Sequence, residues 1–186
     1  KAVKNSSEIS HWKNCFVRDG VAMVRFLRWF YEEVGSGQLT ERIVADRIDS
    51  ERAKLDLFRG LSFTSIPAYG PNEAMMHYGL KDGVDTPVKP EGFFLLDSGG
   101  QYDDGTTDIT RTFVVGGEPT ERMQHIFNTV HQAQDAACNA IKPGVAGRDI
   151  DALARGILDD AGYGNMPHNL GHGLGRLVHD ASGLLS

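Results

Sequence analysis

The chain is short of cysteine, short of basic charge and free of long apolar runs, and each shortage removes a class of function. Two cysteines, Cys15 and Cys138, cannot build a disulfide framework in 186 residues. Both lie in apolar helical patterns and are expected to be buried thiols, which suits a reducing compartment. Lysine and arginine number 19 against 25 acidic residues, for a net charge of −6 and a pI near 5.6. With no basic run and no aromatic-basic interleaving, nothing here matches a nucleic-acid or anionic-membrane surface. No apolar stretch approaches the roughly 20 residues of a membrane span, and Lys1-Ala2-Val3-Lys4-Asn5 lacks a signal-peptide core. A cytoplasmic location is therefore expected. What remains is an ordinary globular composition, 40% hydrophobic and 24% charged, long enough to bury a good core. Glycine alone is in excess, at 22 residues against a usual share of about 7%.

Residues 5–34 predict a long amphipathic helix. Asn5 with Glu8 has capping-box spacing, and Ile9, Trp12, Phe16, Met23, Leu27, Phe30 and Val34 mark one inner face. Gly35-Ser36-Gly37 ends it. A second helix opens at Thr40 with Ile43, Ile48 and Leu55 inward. From Gly60 the period changes, and residues 61–67 and 74–78 read as short strands joined by Gly70-Pro71-Asn72-Glu73, which places His77 on a strand. After the middle of the chain the order repeats. Thr120 caps a helix with Met123, Ile126, Phe127, Val130, Ala137 and Ile141 inward, and a shorter helix follows with Ile150, Leu153, Ala154, Ile157 and Leu158 inward. Helices grouped beside antiparallel strands indicate an α+β fold with helices covering one face of a curved sheet.

The centre of the pattern is Phe93-Phe94-Leu95-Leu96-Asp97-Ser98 followed by Thr107-Asp108-Ile109-Thr110-Arg111-Thr112-Phe113-Val114-Val115. Both read as buried strands, with Gly99 to Gly105 as their connecting loop and Asp103 and Asp104 as plain loop residues. An antiparallel hairpin brings Asp97 close to Asp108. By the two-residue period, Asp108, Thr110, Thr112 and Val114 share a face. Two carboxylates meeting in an apolar sheet repel each other and lose hydration, so they need a cation or a shared proton. Further on, His168, His172 and His179 fall within a glycine-rich stretch with glycines at 171, 173 and 175. Imidazole both ligates divalent metals and titrates near neutrality, so metal and acid/base roles are both open.

Taken together, Asp97-x10-Asp108 and His168-x3-His172-x6-His179 resemble the motifs of the pita-bread metallopeptidases. The nearest likeness is to the catalytic domain of aminopeptidase P and prolidase, which act on Xaa-Pro bonds. Lys4-Asn5-Ser6-Ser7-Glu8-Ile9 resembles the start of that domain, and Asn72-Glu73-Ala74-Met75-Met76-His77-Tyr78 its histidine-bearing strand. The resemblance implies the pita-bread fold with a pseudo-twofold repeat. It implies Asp97, Asp108 and His172 as metal ligands of a two-metal site, with Asp108 bridging. It further implies His77, His168 and His179 as catalytic residues facing substrate or the tetrahedral intermediate. The cofactors implied are two divalent ions, Mn first and Zn or Co as alternatives. The implied partner is a peptide with proline second, and a homo-oligomer is expected of the full-length protein.

The family supplies two glutamates as its last ligands, after the final histidine cluster. No residue from Asp180 to Ser186 can serve as either. The 186 residues are thus expected to be one catalytic domain, incomplete at its C-terminus with its last strands missing and without the upstream N-terminal domain. Such a piece is expected to be inactive by itself. Two alternatives stand beside the aminopeptidase: a prolidase, and a non-catalytic pita-bread module that binds peptides or histones.

Overall fold

A computed structural model describes residues 3–80, 84–164, 166–180 and 184–185. It divides into two compact units, Lys4–Glu118 with Leu174–Val178, and Pro119–Gly173 with His179–Ser186 and Lys1–Val3. Each is built from a long helix, a shorter helix and strands, in that order.

In the first unit, helix α1 (Ser6–Glu33) starts at the expected capping box. Asn5 accepts from the Glu8 N–H, and the Glu8 carboxylate accepts from the Asn5 N–H. Its buried stripe is Cys15, Asp19, Ala22, Met23, Phe26 and Phe30. This corrects the predicted inner face, because Ile9 and Phe16 are exposed. Apolar residues occur on more than one side of this helix, and the partner for the Asp19 side lies far along the chain. Asp19 is fully buried against Arg52 of α2 (Glu41–Ala53), whose Nε and Nη2 donate to its two oxygens at 2.8 and 3.1 Å. Ile43, expected inside, is exposed, while Val44, Ala45 and Ile48 are buried.

Strands β1 (Phe58–Leu61), β2 (Ile66–Tyr69), β3 (Phe93–Ser98), β4 (Gly100–Tyr102), β5 (Gly105–Thr106) and β6 (Ile109–Val114) are all antiparallel to their neighbours. The order is β2-β3-β6 in one sheet and β1-β4-β5 in another. The same pairing offset recurs in both, from Phe93 opposite Val114 in one to Tyr102 opposite Gly105 in the other, with residues 99, 107 and 108 between them outside the strands. The Thr107 N–H donates to the Gly100 carbonyl at 2.9 Å where the two sheets meet. The central hairpin is therefore longer than expected. Gly99 to Gly105 is not its loop; only Asp103 and Asp104 turn the chain. Those aspartates are also more than loop residues, since Arg59 makes a paired contact with Asp103 and Arg18 pairs with Asp104. Along β3, Phe94, Leu96 and Ser98 are buried. Phe94 and Leu96 join Phe26, Phe30, Val44 and Ile48 in one core, where the ring centroids of Phe30 and Phe94 lie 5.3 Å apart. The helices thus cover one face of the sheet, and Phe93, Leu95 and Asp97 lie on the other.

The second unit packs α3 (Glu121–Ala140) on α4 (Gly147–Asp160) through Ala133, Ala137, Ile150, Ala154 and Leu158. Small alanines allow close approach. Phe127, Val130, Ile141 and Leu153, expected inside, are exposed, and so is Cys138. Cys15 is buried as expected. Strands β7 (Gly171–His172) and β8 (Leu184–Leu185) pair antiparallel. Among the described residues, no helix is long and apolar enough to cross a membrane.

Candidate metal and peptide site

Asp97 ends the exposed-face row of β3, with Ile66 and Thr110 as its cross-strand partners. Asp108 stands two residues before Thr110, the cross-strand partner of Asp97, so the two-residue period of a strand would put it on the Asp97 face, as a diagonal neighbour. Diagonal pairs stand about 7–8 Å apart, a gap carboxylate side chains can close around an ion. Both aspartates are half-buried. Asp97 Oδ1 is shut off from solvent with no hydrogen-bond partner among the described residues, and so is Ser98 Oγ beside it. An orphaned carboxylate oxygen is costly unless something positive meets it, so Asp97 fits a cation. The local backbone is pinned by Ser62, whose hydroxyl donates to the Thr107 carbonyl at 2.7 Å. The Ser62 N–H donates to the Gly99 carbonyl at 3.1 Å.

His77 is not on a strand. Residues Gly70–Ala74 form a single 3₁₀ turn, a further turn follows, and His77 takes a left-handed conformation at φ +53° with its side chain exposed. The apolar run around it resembles a strand, but Gly70-Pro71 starts a turn. Beside it, Glu73 is half-buried, and that burial raises its carboxyl from 4.5 to about 7, opposed only by the Gly70 N–H.

In the second unit, His172 and His179 are in ring contact, their centroids 4.2 Å apart. His172 Nδ1 lies 3.2 Å from the Gly173 carbonyl. With a proton on Nδ1 donating there, the Nε2 lone pair is the one left to ligate a metal. His168 is exposed, with Nδ1 2.7 Å from the Asn169 carbonyl. Its segment is held by Arg155, which donates to the carbonyls of Met166 and His168 at 2.5 and 2.7 Å. Arg155 is oriented in turn by Asp151 at 2.6 Å. Sequence reasoning passed over Arg155, Ser62 and Thr107; only an Asp-x3-Arg helical spacing hinted at the first. The structure therefore brings His172 and His179 into contact, and sets Asp97 opposite Thr110, two residues on from Asp108. Among the described residues, no three His, Cys, Asp or Glu side chains are gathered closely enough to hold a metal ion.

Comparison with known proteins follows the same lines. The sequence model of Metallopeptidase family M24 matches residues 12–186. A probable Xaa-Pro aminopeptidase P of Aspergillus clavatus is 41% identical over 182 residues, covering 96% of this chain and 27% of that protein. The chain thus spans little more than a quarter of that relative's length. Among solved structures, the X-prolyl aminopeptidase of Caenorhabditis elegans, described as a cytosolic enzyme with a di-nuclear active site, superposes with a TM-score of 0.89 at 35% identity. That match covers 97% of this chain and 30% of that one. A prolidase from Thermococcus sibiricus gives a TM-score of 0.86 at 31% identity, covering 100% of this chain and 48% of that one.

Proposed function

Because the chain belongs to metallopeptidase family M24 and has its α+β pita-bread fold, we propose that it is part of a dinuclear metal-dependent Xaa-Pro aminopeptidase, which releases the residue before proline. The observation carrying this reading is the orphaned buried oxygen of Asp97, at the end of β3 and opposite Thr110 on the strand that Asp108 leads into. Likeness to the probable aminopeptidase P and to the Caenorhabditis elegans enzyme supports the substrate class.

In this reading Asp97, Asp108 and His172 hold the ions. Carboxylates with one imidazole suit Mn(II) best and also admit Zn(II) or Co(II). When bound, two such ions supply a nucleophilic water at neutral pH and polarise the scissile carbonyl. The chain's own histidines do the rest. His77 and His179 hydrogen-bond the developing oxyanion and move protons, and His168 faces the bound peptide. The full-length protein acts in the cytoplasm, in line with the cytosolic Caenorhabditis elegans relative, and assembles as a homo-oligomer.

Prolidase is the second reading, favoured by the Thermococcus sibiricus structure. Hydrolysis of an Xaa-Pro dipeptide and of a longer Xaa-Pro peptide by the full-length protein with Mn(II) separates the two. Asp108→Asn should abolish both while leaving the fold intact. Peptide binding with no hydrolysis under any of the three metals would instead favour a non-catalytic module.

A further inference from the structure

The span 70–77, which carries His77, is tied at both ends to one buried carboxylate. Glu41 is the first residue of α2 and is fully buried. Its Oε1 accepts from the backbone N–H of Tyr69, just before the span, at 2.8 Å. Its Oε2 accepts from the hydroxyl of Tyr78, just after the span, at 2.7 Å. Asn72, inside the span, places Nδ2 2.9 Å from Glu41 Oε1 and 3.1 Å from both Tyr78 Oη and Thr86 Oγ1. Tyr78 is itself buried, so its ring is anchored as well as its hydroxyl. The N-terminus of α2 is a favourable place for a negative charge.

Between these ties the chain makes two successive turns. The Met75 N–H donates to the Asn72 carbonyl at 3.0 Å and the Tyr78 N–H to the Met75 carbonyl at 3.2 Å. They leave His77 exposed in the left-handed region. A non-glycine residue there carries strain and persists only where its surroundings over-determine it. Here the flanks are held by a charge-assisted network with several acceptor and donor contacts, and such networks are the strong ones.

We propose that Glu41, through Asn72 and Tyr78, is a positioning residue for the peptidase chemistry. It holds the backbone of His77 in the conformation from which the imidazole reaches substrate. The proposal rests on the role given to His77 above and deepens it, because it assigns a functional task to an acid that touches no substrate. A buried acid with only a structural task would lower stability without selecting one side chain's contribution. A positioning residue loses its effect once the side chain it positions is gone.

The test uses full-length protein carrying Tyr78→Phe, which keeps the ring and removes one tie, and Glu41→Gln, which keeps the size and an acceptor for the Tyr69 N–H. Each should lower kcat on an Xaa-Pro peptide by roughly 10- to 100-fold, the scale of a small misplacement, with KM little changed. In a His77→Ala background the same substitutions should have no further effect on kcat. Amide hydrogen exchange across 70–78 should quicken in Tyr78→Phe before the rest of the unit loosens, and this readout does not depend on activity. Equal fold-losses with and without His77, or unchanged exchange, would overturn the positioning role while leaving the peptidase reading in place. Absence of hydrolysis by the wild-type protein with any of the three metals would remove both.

Discussion

Gly99 and Thr107 meet across the central hairpin at a separation that admits no side chain. A β-carbon on Gly99 would lie 2.0 Å from the Thr107 carbonyl oxygen and 2.3 Å from Ser62 Oγ. The pinch lies between Asp97 and Asp108 along the hairpin, so it bears on the backbone that carries both. Gly99→Ala must push Thr107 outward. It is expected to cost about 1–3 kcal/mol or more, the usual range for overpacking, seen as a lowered urea midpoint. Ser62→Ala, which only removes the bridge, should cost about 1 kcal/mol. An alanine at 99 with an unchanged midpoint would mean the strands can part freely.

The orphaned oxygen of Asp97 leads to a sharper expectation. Without metal, Asp97→Asn should change stability little, because no partner among the described residues is lost. With metal, the full-length wild-type protein should gain thermal stability, about 2.7 kcal/mol at one hundred times Kd, and the variant should gain far less. Melting curves in EDTA and in excess Mn(II) provide the comparison. An equal gain in both proteins would remove Asp97 from the ligand set.

What was legible in the sequence was local. The Asn5 capping box and the strand character of residues 93–98 depend on neighbours a few residues away, and both appear as read. The hairpin itself followed from two apolar runs, although Gly100 looked like a turn residue and begins β4. The failures share one cause, a partner distant in sequence. Asp19 is inside α1 because Arg52 and Tyr102 meet it there, and no periodicity within residues 6–33 encodes that. His77 left its expected strand because Gly70-Pro71 opens a turn and Glu41, thirty-odd residues earlier, ties the far side.

The two cysteines should differ widely in reactivity. Cys15 is buried, and burial first, with nearby Asp104 adding to it, pushes its thiol up to about 12. Cys138 is exposed on α3. Since the thiolate is the reactive form, iodoacetamide at pH 8 should label Cys138 in the native protein and Cys15 only after unfolding. Mass spectrometry of the labelled peptides reads the result, and native labelling of both at similar rates would contradict the packing of α1.

Glu73 should make stability depend on pH. Its carboxyl sits near 7 when folded, against 4.5 when free, chiefly because burial disfavours the ion. Between those values the folded state keeps a proton that the unfolded state has released. Stability from this group is therefore full below about 4.5 and is lost as pH rises through about 7. Glu73→Gln, which stays neutral, should remove that dependence. Relative to wild type, the variant should be more stable at pH 8 than at pH 5 in urea unfolding. A difference that does not change with pH would show that Glu73 is ionised throughout.

The buried pair Asp19 and Arg52 supplies the strongest stability prediction. Both side chains are fully buried, and the Tyr102 hydroxyl donates to Asp19 Oδ1 at 2.5 Å. Burial, and then that bond to Asp19, raise the Tyr102 pKa, so the phenol stays a donor. Removing one charge of such a pair strands the other, and Asp19→Ala should cost about 3–5 kcal/mol. Tyr102→Phe loses one bond and should cost about 1–3 kcal/mol, the range for hydrogen bonds to charged groups. The two-sided replacement Asp19→Leu with Arg52→Met removes both charges and should recover much of the loss, because the desolvation penalty goes with them. Urea unfolding of the wild type, the single variants and the double variant gives the coupling directly. If Asp19→Ala alone cost less than about 1 kcal/mol, water would have to reach Arg52, and α1 and α2 could not be packed as closely as described.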